Sequence, residues 1–150
     1  MRRYADASFL VALLNPKDNG HDAALNHYRG LEAEDWLVSA WAELESIHAL
    51  RQLTVRNPPA LKPSECEALR RRFRHYLHHG QFQRALVDWA EALTEAHLLS
   101  TAWGVRAAVR TGDLFHIALA EALDADRFVT ADRRQADAAL VMGLTVDRVG

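Results

Sequence analysis

The chain has 150 residues, the size of one compact domain, and 49% of them are hydrophobic, enough for a core of its own. Charged residues make up 25% and the formal net charge is −2, so affinity for a polyanion must come from a local patch rather than from the molecule as a whole. The single cysteine, Cys66, excludes an intrachain disulfide and argues against a cysteine-built zinc site, which fits a reducing, cytoplasmic setting.

Residues 3–5 read as a first strand that runs into Asp6. The apolar stretch from Ala7 to Leu14 follows Met1-Arg2-Arg3 and has a faint likeness to an export signal. Asp6 interrupts that likeness, and Asn15-Pro16-Lys17-Asp18 follows with no small-residue cleavage pattern, so a helix ending near Asn15-Pro16 is expected instead. No other run approaches the roughly twenty apolar residues that span a bilayer, so no membrane partner is expected. A second helix is predicted from about Asn19 to Gly30, a buried strand at Trp36-Leu37-Val38, and a helix from about Ala40 to Leu53 capped by Ser39. Asn57-Pro58-Pro59 breaks the pattern into a loop reaching Lys62. The next helix starts at Pro63-Ser64-Glu65-Cys66-Glu67, with Ser64 as N-cap and Glu67 closing a capping box, and runs to about His79 before Gly80. Ala85-Leu86-Val87 is a candidate strand, and residues 89–109 have helical periodicity with a break at Gly104. A helix from Asp113 to about Ala125, a strand at Phe128-Val129-Thr130, a helix from Arg133 to Met142 and a strand at Leu144-Thr145-Val146 complete the chain, Gly143 separating the last two.

No repeat, low-complexity tract or linker divides residues 1–150, which are expected to form a single domain. Alternating strands and helices at crossover spacing predict an α/β fold, a parallel sheet with helices on both faces. The apolar strands agree, because parallel strands are buried on both sides.

In such a sheet, ligands bind beyond the carboxyl ends of the strands. Asp6 ends the first strand, Glu43 lies four residues past Ser39, Asp113 follows Thr111-Gly112, and Asp132 comes two residues after a strand. Converging carboxylates repel one another, and a hard divalent cation with oxygen ligands, Mg²⁺ or Mn²⁺, removes the conflict and suits phosphodiester hydrolysis. Each acid also has a structural account. Asp113 and Asp132 suit helix N-caps, Glu43 and its neighbour Glu45 suit exposed helix positions, and Asp6 is the hardest to assign to structure alone.

Tyr4-Ala5-Asp6-Ala7-Ser8 resembles the opening of PIN domains, VapC-type toxins in particular. Val38-Ser39-Ala40-Trp41-Ala42-Glu43-Leu44 is similar to their second motif, Asp113 to Ala120 to their third, Phe128-Val129-Thr130-Ala131-Asp132-Arg133-Arg134 to their fourth, and Ala138-Ala139 through Gly143-Leu144 to their ending. The resemblance implies a three-layer α/β/α domain with a helical hairpin insertion. It also implies an Mg²⁺- or Mn²⁺-dependent endoribonuclease, the toxin of a type II toxin–antitoxin pair, with Asp6, Glu43, Asp113 and Asp132 as catalytic metal-holding acids. Its implied partners are RNA, a cognate antitoxin protein and a second copy of the chain. Arg134 stands where some members carry a further acid, so one metal is a safer expectation than two.

Ser8, Ser39 and Thr130 are placed to orient ligands or to cap helices. Arg70, Arg71 and Arg74 are candidate RNA contacts, although the run Arg70-Arg71-Arg72-Phe73-Arg74 cannot present every arginine on one helix face. His116, three residues past Asp113, is better suited to hydrogen bonding near the site than to holding metal, and His75, His78 and His79 suit a helix C-terminus. A receiver domain or dehalogenase-like phosphatase is a poorer match. Ser8 stands where the phosphatase pattern wants a second Asp, and the only lysines, Lys17 and Lys62, fall early. A binding or scaffold module without turnover and a structure-specific DNA nuclease remain the alternatives.

Overall fold

The structure is a computed structural model that describes residues 1–150. Strand β1 (Arg2–Ala5) leads through α1 (Ala7–Leu14) and α2 (His21–Arg29) to β2 (Asp35–Val38). The helical hairpin α3 (Ala40–Val55) and α4 (Pro63–His78) leads to β3 (Gln83–Arg84). Helices α5 (Trp89–Trp103) and α6 (Thr111–Ala122) cross to β4 (Arg127–Thr130), and α7 (Arg133–Val141) leads to β5 (Val146–Arg148). The five strands are all parallel, in the order β3-β2-β1-β4-β5.

The strand alternation sorts the core into two layers. Ala5, Trp36, Val38 and Val129 point into a cluster with Phe9, Leu13, Leu50 and Phe73 from the α1–α4 side. Tyr4, Leu37 and Phe128 point the other way, onto Ile117, Leu119 and Ala139 from α6 and α7. The result is the expected three-layer α/β/α sandwich.

Three local expectations change. Helix α4 is closed by Glu65, whose carboxylate accepts the Lys62 N–H at 2.6 Å, with Pro63 in the first turn. Ser64 therefore lies inside the helix, and Glu67 pairs with Arg70 instead. Strand β3 forms at the polar pair Gln83–Arg84 rather than at Ala85-Leu86-Val87, where Leu86 is 97% exposed. It is an edge strand, so polar residues suit it and apolarity is a poor guide. Strand β5 sits two residues later than its apolar run, locked by Asp147 to Arg3 and Arg127.

Strands β2 and β3 build outward from β1 on one side, and β4 and β5 on the other. The reversal falls between β1 and β4, the switch point where a parallel sheet opens a crevice at its carboxyl edge.

Candidate active site

Asp6 and Asp132 come from the two strands at that reversal. Asp6 ends β1 and caps α1, accepting the Phe9 N–H at 2.8 Å. Asp132 follows β4 and caps α7, accepting from Arg134 N at 2.7 Å and Gln135 N at 3.2 Å. Capping leaves each carboxylate with oxygen lone pairs beyond the helix, so the structural and chemical roles are compatible. Asp113 is no cap: Arg110 occupies the N-cap position of α6, and Asp113 lies in the first turn.

Between these elements lies a cleft of about 410 Å³, lined by Ser8, Asp18, Glu45, Asp113, His116 and Asp132 among others. Asp6 sits directly behind this lining and is fully buried. Ser8 joins the two strand ends: its hydroxyl donates to Asp6 at 2.8 Å and accepts from Ala131 N at 2.9 Å and Asp132 N at 3.2 Å. The Thr130 hydroxyl, 3.0 Å from Ser8 Oγ, accepts the Asp132 N–H at 3.0 Å. Both hydroxyls therefore set the positions of Asp6 and Asp132.

Glu43 is not in the cleft. Its carboxylate receives a two-pronged pair from Arg84, at 2.9 and 2.8 Å, beyond the end of β3. Glu45 faces the cleft instead. Two residues apart on a helix means about 200° of rotation, so the two glutamates leave α3 on opposite sides. Glu45 and Ala49, one turn apart, both line the cleft. Glu45 Oε1 passes 3.6 Å from where a Cβ would stand on Gly112, next to Asp113. The sequence alone suits Glu45 to an exposed helix position, whereas the structure puts it in the cleft. A sharper signal was available in the angular offset between positions 43 and 45, but it needed the direction of α3.

Behind Glu45 runs a buried polar chain. His116 Nε2 is 2.6 Å from Glu45 Oε2, His116 Nδ1 is 2.9 Å from the Tyr4 hydroxyl, and Tyr4 is 2.9 Å from Ser39 Oγ. Ser39 in turn accepts the Ala42 N–H and caps α3. Nε2–H donates to Glu45, and the contacts of Nδ1 with Tyr4 and of Tyr4 with Ser39 give every polar group of this buried chain a partner. Ser39 thus serves the cap and this chain, and has no contact with the Glu43 carboxylate.

The electrostatics record acids crowded into a poorly solvated space. Burial pushes the Asp6 carboxyl above the usual range, against the pull of His116 and hydrogen bonds from Phe9, Thr130 and Ser8. Burial also raises Asp113, and the negative charges of Asp132 and Glu45 add to the rise. Glu45 moves the other way, held down chiefly by its hydrogen bond from His116. Burial lifts the Tyr4 phenol far above its ordinary range, keeping it a neutral donor. No three His, Cys, Asp or Glu side chains form a ready-made chelate. The donor set nevertheless fits a hard divalent cation: it consists of carboxylate oxygens whose mutual repulsion such an ion relieves.

The family model of the PIN domain matches residues 3–140. The chain belongs to the PIN-domain family. Solved structures with the same fold include VapBC2 from Rickettsia felis bound to a DNA fragment from its promoter, with a TM-score of 0.73, 14% identity and 100% of both chains covered. Mycobacterium tuberculosis VapC20, a sarcin-ricin loop cleaving toxin, has a TM-score of 0.66 at 14% identity, over 97% of this chain and 98% of that one. FitAcB from Neisseria gonorrhoeae has a TM-score of 0.64 at 16% identity, over 96% and 95%. No curated protein matches the sequence. As a PIN domain, the chain places its acid cleft at the carboxyl edge of the sheet, and no helix is long and apolar enough to cross a membrane.

Proposed function

We propose that this PIN domain is a divalent-metal-dependent endoribonuclease, the toxin of a toxin–antitoxin pair, with Asp6, Glu45, Asp113 and Asp132 as its working acids. The observation that carries this reading is a cleft on the β1–β4 switch point lined by Glu45, Asp113 and Asp132, with Asp6 buried behind it and the carboxyls of Asp6 and Asp113 raised by burial. Glu45 takes the role that the sequence motif suggested for Glu43. Asp113, Asp132, Glu45 and Asp6 would hold Mg²⁺ or Mn²⁺, partly through water, as suits an ion that keeps several of its own waters. When bound, that ion supplies charge neutralisation at the phosphate and a more acidic water.

The chain's own residues do the positioning. Ser8 and Thr130 hold the β4–α7 turn against Asp6, so that the carboxylates of Asp6 and Asp132 keep a fixed relation. His116, gripped by Tyr4, orients Glu45 from behind and limits the proton affinity of its carboxylate, leaving it able to accept a proton or align a water. The antitoxin partner is supported by the likeness to the VapC20 toxin and to VapBC2. A homodimer and a cytoplasmic setting belong to the same proposal.

The test is RNA cleavage by wild type and Asp113→Asn with Mg²⁺, with Mn²⁺ and with chelator. Cleavage that needs metal and falls with the substitution is expected. Cleavage indifferent to both would remove the proposal and favour a PIN fold kept for binding alone.

A further inference from the structure

Away from the acid cleft, a second cavity of about 660 Å³ is lined by Arg71, Arg74, His75, His78 and Arg84, with Leu77. It contains no acid. Arg84 is steadied by Glu43, and Arg71 lies 3.8 Å from Glu67 across an exposed pair. Arg74, His75 and His78 have no ion-pair partner. Arg70 lies outside this lining, and its guanidinium, like that of Arg84, is taken up by a two-pronged carboxylate pair, to Glu67 at 2.9 and 2.7 Å. On a chain of net charge −2, this concentration of arginines is local.

Its place in the fold sets the occupant. Arg84 ends β3, Glu43 stands in the first turn of α3 after β2, and Asp6 ends β1, so all three lie on the carboxyl edge of one parallel sheet. Strands lie about 4.8 Å apart, which puts the end of β3 about 10 Å from the end of β1. A stacked nucleic-acid strand advances about 3.4 Å per nucleotide, so about 10 Å is roughly three phosphates.

We propose that this cavity is a backbone track for a single-stranded nucleic acid whose scissile bond lies in the acid cleft. Arg71 and Arg74 hold phosphates some nucleotides from that bond, and the Arg84–Glu43 pair forms the wall of the track on the β3 side. The inference rests on the nuclease reading for the position of the scissile bond, and on the cavity's own charge for the binding. Contacts of this kind position the strand without reading its sequence.

The test is fluorescence anisotropy with a labelled single-stranded RNA of 12 nucleotides, titrated with the full chain carrying Asp113→Asn at several salt concentrations. Adding Arg71→Ala with Arg74→Ala is expected to weaken binding about tenfold and to lower the slope of log K against log salt by about 1.4, at about 0.7 per phosphate contact. Arg72→Ala removes an equally exposed charge from outside the cavity and leaves the slope in place. A DNA strand of the same length loses affinity in the same proportion, since the phosphate is what these residues hold. Equal slopes for the double variant and Arg72→Ala would overturn the proposal, as would a loss confined to RNA. So would unchanged RNA binding together with lost capture of poly-glutamate, which would assign the cavity to an acidic protein segment. Circular dichroism confirms that each variant is folded. Failure of the nuclease reading looks different: Asp113→Asn then cuts RNA as wild type does while the salt slopes still respond.

Discussion

Glu43 and Glu45 leave one helix on opposite sides, and the regions they enter have opposite charge. Glu45 joins Asp113 and Asp132 in a cleft where burial and the neighbouring negative charges raise the proton affinity of Asp113. Glu43 meets Arg84 on the flank of a cavity walled by arginine and histidine. The same side chain is thus a member of a crowded acid group at one position and a neutralising partner at the other. What separates them is about 200° of helix rotation, applied to a helix wedged between the centre of the sheet and its β3 edge. A phosphodiester needs both regions, one to act on the bond and one to carry the rest of the chain's charge.

The largest expected effect separates the regions outright. Asp113→Asn should lower RNA cleavage about a hundred- to a thousandfold, on the order of 3–4 kcal/mol, by removing a carboxylate from the cleft. Single-turnover cleavage assays measure it, and a change under threefold would show that Asp113 is not among the working acids. Next comes the pair of glutamates. Glu45→Gln should cost about ten- to a hundredfold in kcat, whereas Glu43→Gln should act mainly on KM for long RNA by releasing Arg84. The reverse ranking would return Glu43 to the acid group and break the comparison.

A stability effect tests the support of the acid cleft. Tyr4→Phe removes the hydroxyl between Ser39 and His116 and leaves the imidazole Nδ1 without its partner. A loss of about 1–3 kcal/mol is expected in denaturant unfolding. An unchanged midpoint would mean that the chain of hydrogen bonds behind Glu45 contributes nothing to the fold.

The smallest effect is a trend with pH. Asp6 and Asp113 hold protons more tightly folded than unfolded, so between the ordinary carboxylate range near 4 and their raised values the folded state binds more protons. Their ionisation costs stability, and metal-free protein should melt at higher temperature as pH falls through the raised values. Glu45 opposes this: its lowered affinity adds stability above the ordinary range, and that is lost as pH falls through its folded value. The Asp113→Asn variant in chelator should therefore show a flatter melting temperature than wild type as pH falls toward the ordinary carboxylate range. Parallel profiles would mean that Asp113 is not strained by its neighbours.

Much of the architecture was legible without coordinates, because buried parallel strands and amphipathic helices write their periods into the residues. Strands β1, β2 and β4, the caps Ser39 and Asp132, and the stops at Gly80 and Gly143 all fall where pattern and capping chemistry put them. Strands β3 and β5 did not, because they form the two edges of the sheet and edge strands need no apolar run. The Ser64 box failed for a related reason: local motifs compete, and the Pro63 start with Glu65 reaching back to Lys62 prevailed two residues earlier than expected.

The sequence by itself determined that acids would gather at the ends of strands, since Asp6, Asp113 and Asp132 are each tied to a strand end or helix start by short-range chemistry. Only the tertiary structure decided which glutamate joins them. Positions 43 and 45 are equally acidic and equally helical, and the choice depends on where α3 lies over the sheet, which is set by its packing against α1 and α4. Packing also brought Arg84, from an edge strand, beside the arginines of α4, and so made one cavity from residues that local pattern had no reason to join.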